Sequence, residues 1–194
     1  MSRGLPSAIT DELAKDKISF SDLLELHFDD SPHNPLTLTN SPIDIAVNTL
    51  TSTGKTFSAN GEMLSFDTIE ETSEARVNQV NVVLSSASNT ITNLFFNNDY
   101  IDRRVVIYRV FYDQQFNIID VPVMLFDGEI QGYQVNESGS TSTLSVTTAS
   151  VFYDFDRING RRTNTTSQQA HFPNDKGFDQ AAVVSEKIKW GKPS

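Results

Sequence analysis

From Ile101 to Val151 the chain is dominated by Val, Ile, Tyr, Phe and Thr, and this stretch constrains the fold more than any other. These side chains fit a pleated, half-buried surface. From Arg104 onward the residues alternate: Val105, Ile107, Arg109 and Phe111 fall on one side, Val106, Tyr108, Val110 and Tyr112 on the other. Both sides are apolar, so the strand must be covered on at least part of each face. Asp113-Gln114-Gln115 predicts a tight connection into Phe116-Asn117-Ile118-Ile119, and Pro122 removes one ladder donor before Val123–Phe126. Asp127-Gly128 and Gly132 predict a bulge or a sharp barrel bend in the next strand. Asn136-Glu137-Ser138-Gly139 reads as a turn, and Thr141–Ser150 as a strand with Leu144, Val146 and Thr148 facing inward. Three or four consecutive antiparallel strands therefore form the centre of the fold. No catalytic signature lies on them.

The flanks extend this pattern. Pro6 to Lys15 predicts a short helix, with Ile9 and Leu13 forming an apolar stripe. Ile18 to Phe28 predicts a strand interrupted at Ser21-Asp22, and Leu36–Thr39 and Ile43–Val47 predict short extended pieces. Thr53-Gly54 and Asn60-Gly61 are dipeptides of the kind that close hairpins, with Phe57 and Met63–Phe66 beside them. Val80, Val82 and Leu84 make one face of a further strand, and Ile91, Leu94 and Phe95 have the spacing of a short helix over Thr90–Phe96. The reading is a mainly β, antiparallel barrel with a short N-terminal helix.

At 194 residues the chain can bury a substantial core. It has no cysteine, which excludes disulfides, thiolate zinc sites and iron–sulfur clusters. No signal peptide and no apolar run of membrane-spanning length is visible, so a soluble protein is expected. The net charge is −10, which argues against general nucleic-acid binding. Residues 157–194 hold seven Lys and Arg against three Asp and Glu, a net +4, leaving −14 for the first 156. An acidic body with a basic tail invites association between copies. The tail is also poor in anything to bury between Asn159 and Gln169, so it cannot order itself on a core of its own. This predicts an extended, mostly irregular arm at 157–194 after a domain at 1–156.

Candidate chemistry is sparse. Gly54-Lys55-Thr56 has the ending of a phosphate loop, but Thr49 stands where its first glycine is needed, so it reads as a turn. His27, Asp29, Asp30 and His33 are close enough in sequence to imagine a metal, yet a surface Asp-Asp-Ser-Pro turn explains them more simply. Glu70, Glu71 and Glu74 could supply a carboxylate pair, as acids do by chance in any acidic chain. His171 has no acid or serine at a telling spacing, and the aromatics Phe152, Tyr153 and Phe155 at a strand end suit core or interface. No catalytic, cofactor-binding or metal-binding residue is assigned, and no enzymatic activity is expected.

One motif is distinctive. G-R-R-T-N-T-T-S-Q-Q-A-H-F-P-N-D-K-G-F at Gly160–Phe178, followed by Lys189-Trp190-Gly191, resembles the end of the hub domain in small tail-tip proteins of long-tailed bacteriophages and prophages. Leu5–Leu13, Leu64–Glu71, Val80–Ser86, Arg104–Tyr108 and Pro122–Gly132 resemble that family in the same order. The resemblance implies a β-barrel hub domain assembled as a ring between the tail tube and the central spike or fibre. Larger relatives continue into a cysteine-bearing iron–sulfur module, which a chain without cysteine is expected to lack.

From the resemblance come the remaining expectations. The chain would be made in the host cytoplasm and reside in the virion at the tail tip. It would meet copies of itself in a ring, a trimer or alternatively a hexamer, and the tube or distal tail protein and spike or fibre protein as neighbours. DNA would only pass through the lumen, whose acidic lining would not trap phosphate. A receptor- or carbohydrate-contacting tail module is the alternative, and a cell-wall hydrolase a more distant one. The inter-subunit contacts are assigned to the arm: Arg157, Arg161, Arg162, Gln168, Phe172, Phe178 and Trp190.

Overall fold

A computed structural model describes residues 5–28, 35–50, 53–69, 77–87, 89–139, 141–153 and 164–179. The chain divides into two compact units, Met1–Phe155 and Asp156–Ser194. Among the described residues of the first, the elements follow the order α1 (Ser7–Leu13), β1 (Ser19–Leu26), β2 (Leu36–Thr39), β3 (Ile45–Val47), β4 (Lys55–Phe57), β5 (Met63–Phe66), β6 (Gln79–Ser85), α2 (Thr90–Asn97), β7 (Arg104–Tyr112), β8 (Val123–Ser138) and β9 (Thr141–Ser150).

Seven of these strands form one antiparallel sheet in the order β2-β1-β7-β8-β9-β6-β5, with the predicted meander β7-β8-β9 at its centre. The sheet curls into a nearly closed barrel. Its two edges are joined by the chain itself. Ser58, just past β4, bridges Leu38 on β2 through paired backbone bonds, and five residues later Met63 begins β5 on the opposite edge. Asn60-Gly61, with Gly61 at a φ of 74°, therefore carries the chain between two edges and closes no hairpin, contrary to expectation. Turn chemistry specifies a reversal, but which strands it joins is set by the sheet.

The two apolar faces of the central strand have separate covers. Val105 and Ile107 point into the barrel with Leu24, Leu26, Val82, Leu84, Leu144 and Val146. Val106, Tyr108 and Val110 point outward and are buried beneath Ile45 and Phe57 of the small β3–β4 sheet. At the far end of β1, α2 closes the barrel. Its buried Ile91 and Phe95 lie in the interior cluster, and the Phe95 ring meets Phe28 edge-on at 5.3 Å and Tyr133 at 5.3 Å.

β8 bends as its glycines predict. Leu125 is an extra residue against β7, and Gln131 an extra residue against β9, so two bulges re-aim a 16-residue strand. Gly128 allows close approach: a Cβ there would lie 2.3 Å from the Ala149 carbonyl oxygen. The following turn is tighter than predicted. Asn136, Glu137 and Ser138 continue β8 and pair with β9, because the register Ser138↔Thr141 leaves room for only two loop residues.

Two further expectations are corrected. In α1 the buried partner of Ile9 is Glu12, whose carboxylate is paired with Lys15, while Leu13 is exposed. The neutralised Glu12 can face inward, and the stripe falls at a spacing of three rather than four. β1 is also unbroken. Ser21 and Asp22 lie within it and are buried, Asp22 for a reason that belongs to the candidate site.

In the second unit, residues 164–179 contain α3 (Thr165–Gln169). The sequence predicted irregular chain here. A cap made by Asn164, whose side-chain oxygen accepts from the Ser167 amide at 2.7 Å, supports a short helix in its place. Among the described residues no helix is long and apolar enough to cross a membrane.

Candidate functional site

At the end of the barrel away from α2, β1 and β7 place two opposite charges side by side. Asp22 and Arg109 are direct cross-strand partners. Arg109 Nε donates to Asp22 Oδ1 at 2.7 Å and Nη2 to Oδ2 at 3.3 Å, a forked contact. The guanidinium carbon lies 4.0 Å from the centroid of the Phe20 ring, which adds a cation–π contact. Asn40, just beyond β2, completes the frame: its side-chain oxygen accepts from the Asp22 amide at 2.8 Å. Thr39 Oγ1 donates to the Asp22 carbonyl at 2.9 Å. These bonds are why Asp22 can sit inside a buried strand.

The pair floors a cleft of about 700 Å³, walled on one side by Phe20 and Leu125 and on the other by β5 and the residues after it, including Asp67. Because the Arg109 fork is committed to Asp22, the floor is a neutral pair and offers little net charge to a ligand. The walls mix apolar side chains with Ser65, Asp67 and Thr68. The cleft suits an amphipathic side chain or segment better than a free anion.

A second ionic cluster lies where β1 meets β4. The Glu25 side chain is fully buried, with His27 Nε2 at 3.6 Å and Lys55 Nζ at 3.7 Å from its Oε1. Nearby, Arg104 grips Asp127 through Nε at 2.9 Å and Nη2 at 2.6 Å. Hydrogen bonding to Asp127 raises the Arg104 pKa above its ordinary value. Burial lowers the His27 pKa; Glu25 opposes this, and Arg104 and Lys55 reinforce it. Lys55 thus serves a buried carboxylate, and Gly54, at a φ of 65°, is a turn whose amide donates to Asn48. The Gly-Lys-Thr sequence is a turn entering a strand, as read.

Of the residues imagined as metal ligands, His27 faces Glu25, while Asp29, Asp30 and His33 lie outside the described residues. Glu70, Glu71, Glu74 and Phe155 lie outside them as well, and Phe152 is half-exposed. Among the described residues no three His, Asp or Glu gather as a metal site would require.

For the arm, Arg157, Arg161, Arg162 and Trp190 lie outside the described residues. Gln168 does not stand free: its amide donates to Asp175 Oδ2 at 2.6 Å, and Gln169 donates to the Asp175 carbonyl at 3.3 Å. Asp175 also accepts from the Gly177 amide at 2.7 Å, and this bond with that from Gln168 lowers its pKa. Gln168 therefore organises its own unit. Phe172 is 57% exposed, and Phe178 is partly covered.

The Asp22–Arg109 pair was not singled out from sequence. The available signal was Arg109 occurring on the apolar side of an alternating strand, at a position whose inward partner had to be acidic.

No family model matches the sequence. Over 81 residues the chain is 35% identical to the baseplate hub protein pb3 of Escherichia phage T5, in a match taking in 36% of this chain and 8% of that protein. The chain therefore spans less than a tenth of that relative. Its fold is similar to that of a chain in the virion of a native gene transfer agent particle, at a TM-score of 0.53 and 12% identity. That likeness, one of fold alone, covers 82% of this chain and 49% of the other. The resemblance to phage tail and baseplate proteins is borne out by the first match, and the barrel by the chain's own antiparallel, nearly closed sheet.

Proposed function

We propose that this chain is a structural subunit of a phage tail, a hub component of the tail tip whose role is architectural rather than enzymatic. The observation that carries this reading is the 35% identity to a baseplate hub protein. The fold likeness to a chain in a virion particle supports it. In this reading the protein resides in the virion at the tail tip, in a ring of three copies or alternatively six. Its neighbours are the tube or distal tail protein and the spike or fibre protein, with DNA only passing through.

The barrel, residues 1–156, is then the ring body, and residues 157–194 are the arm that reaches an adjacent copy or tail protein. Two features support the arm: its +4 charge against a −14 body, and exposed Phe172 in a polar segment. Arg157, Arg161 and Arg162 would supply charge contacts, and Phe172, Phe178 and Trp190 apolar anchors. Gln168 has the supporting role of bracing Asp175.

The test is made in intact tails. A chain ending at Asp156, and a second carrying Arg161→Glu and Arg162→Glu, should both fold as barrels yet fail to enter tails. Immunogold labelling should place the unaltered protein at the tail tip. Labelling elsewhere in the virion, or none, removes the hub reading; normal tails with either variant remove the bridging arm.

A further inference from the structure

The two edges of the barrel sheet, β2 and β5, are finished differently. On β2 the outer edge is engaged by the chain itself: the Thr39 amide donates to the Ser58 carbonyl and the Ser58 amide to the Thr37 carbonyl, each at 3.1 Å. β5 is hydrogen-bonded to β6 on one side, and among the described residues no strand stands on the other. Its pairing with β6 runs past both ends. The Ser85 amide donates to the Glu62 carbonyl at 2.7 Å, and the Asp67 amide to the Asn81 carbonyl at 3.0 Å. Along an antiparallel strand successive residues direct their amide and carbonyl to opposite sides. With Asp67 turned towards β6, Phe66 presents both groups to the open side.

The cleft of about 700 Å³ runs along that open side. Seven consecutive residues line it, Met63 to Ile69. Side chains of a strand alternate between its faces, so a cavity touching all seven lies against the edge and not against one face. At about 3.3 Å per residue, the contact is long enough for a strand of roughly six residues. Phe20 and Leu64 offer it apolar surface, being 47% and 49% exposed.

Edge and charge together define an occupant. A row of backbone amides and carbonyls is matched by another extended backbone, which neither a helix nor a compact ligand supplies. Of the charged residues lining the cleft, Asp22 and Arg109 neutralise one another. Asp67 accepts from the Asn81 side chain at 2.7 Å and, among the described residues, pairs with no cation. The lining therefore keeps one uncompensated negative charge. A second barrel is a poor occupant, because the first 156 residues carry −14. The described part of the arm, residues 164–179, is helical and turned rather than extended.

We propose that the open edge of β5 receives an extended, basic segment of a different protein, which adds to the sheet as its next strand and sets a Lys or Arg against Asp67. β5 is short and bulged at Leu64, an extra residue against β6, which makes it a poor template for unselected strands. Side-chain fit in the cleft then decides which segment is taken. The edge belongs to the barrel, whatever assembly the barrel enters.

Synthetic heptapeptides test this on the full chain. They alternate Val with Thr around a central Lys, Gln or Glu, and the Lys peptide is also made in two forms, each N-methylated at one set of alternate amides. By fluorescence anisotropy the Lys peptide should bind about two- to fivefold more tightly than Gln and about tenfold more tightly than Glu. One methylated form should bind like its parent and the other should fail, since only one set of amides faces β5. Amide shifts in NMR spectra should centre on residues 62–69. Asp67→Asn should erase the preference for Lys over Gln, and Leu64→Lys, at an exposed position, should repel the Lys peptide. Equal binding of the Lys and Glu peptides, no binding by any, both methylated forms behaving alike, or shifts centred elsewhere overturns the proposal. So does a peptide of residues 184–192 binding more tightly than the Lys heptapeptide, which would give the edge to this chain's own arm. An affinity that falls as the chain is concentrated would give it to a second copy and overturns the proposal equally.

Discussion

Asp22 and Arg109 face one another across neighbouring strands and share a forked pair of hydrogen bonds, the shorter of 2.7 Å, inside the mouth of the barrel. The Asp22 side chain is almost wholly buried, and the Arg109 side chain is about a quarter exposed. Removing only the cation strands a buried carboxylate. Arg109→Ala should therefore cost about 2–3 kcal/mol in urea unfolding, below the ~3–5 kcal/mol of a fully buried broken pair because solvent reaches the guanidinium. Asp22→Leu with Arg109→Met should recover most of the loss, since an apolar pair needs no desolvation compensated. A double variant as unstable as the single one would mean that the charges hold the mouth in shape beyond their own pairing.

The Glu25 cluster sets a pH dependence. Burial holds the folded-state pKa of His27 below 6.5, and its Nε2 has no hydrogen-bond partner. Between that lowered value and 6.5 the unfolded chain binds a proton that the folded chain does not. Stability is thus complete above 6.5 and falls as the pH drops through the folded-state value. Denaturant midpoints should decline from about pH 7.5 to about pH 5, and His27→Gln should flatten that decline. Asp113 and Asp175, whose pKa values lie below the ordinary 3.8, act only at still lower pH and leave this window clean.

The central meander was legible because its strands alternate. Val105 to Tyr112 carry two apolar faces, and the second face predicted a cover without identifying it; the cover, Ile45 and Phe57, comes from a small sheet over 45 residues earlier in the chain. Local periodicity cannot report a partner that distant. Ser21-Asp22 looked like a strand break for the same reason: the residue that permits the burial, Arg109, is 87 positions away. The glycines of β8 were readable because bulges and close approach are local demands on the backbone. Phe116 was not, since nothing in Asp-Gln-Gln-Phe-Asn announces a phenylalanine at positive φ where Asn117, the next residue, would take it more easily.

Gly128 gives a sharp test of the barrel's closeness at β8 and β9. A methyl group there would meet the Ala149 carbonyl oxygen at 2.3 Å and the Phe126 ring at 2.7 Å. The ring can turn aside, but the carbonyl belongs to the paired neighbouring strand and cannot. Gly128→Ala should destabilise the chain by about 2–3 kcal/mol, at the upper end of overpacking costs. Gly132→Ala, with nothing within 4 Å, should change thermal stability little. Equal effects at the two positions would show that the strand spacing relaxes.

Adjacent phenylalanines on α2 should behave very differently. Phe95 is buried among Phe28, Tyr100 and Tyr133 and closes the barrel, whereas Phe96 is largely exposed and touches Tyr133 edge-on at 5.9 Å. Truncating Phe95 to Ala leaves a cavity bounded by three rings that are themselves held by strand or helix packing, so the site cannot collapse fully. The expected cost is about 3–5 kcal/mol. Phe96→Ala removes one aromatic pair from the surface, worth about 0.5–1.5 kcal/mol at most. Urea unfolding of the two variants side by side measures the difference. If Phe95→Ala proves as mild as Phe96→Ala, α2 rests on the barrel end without sealing it, and the strands alone hold the core closed.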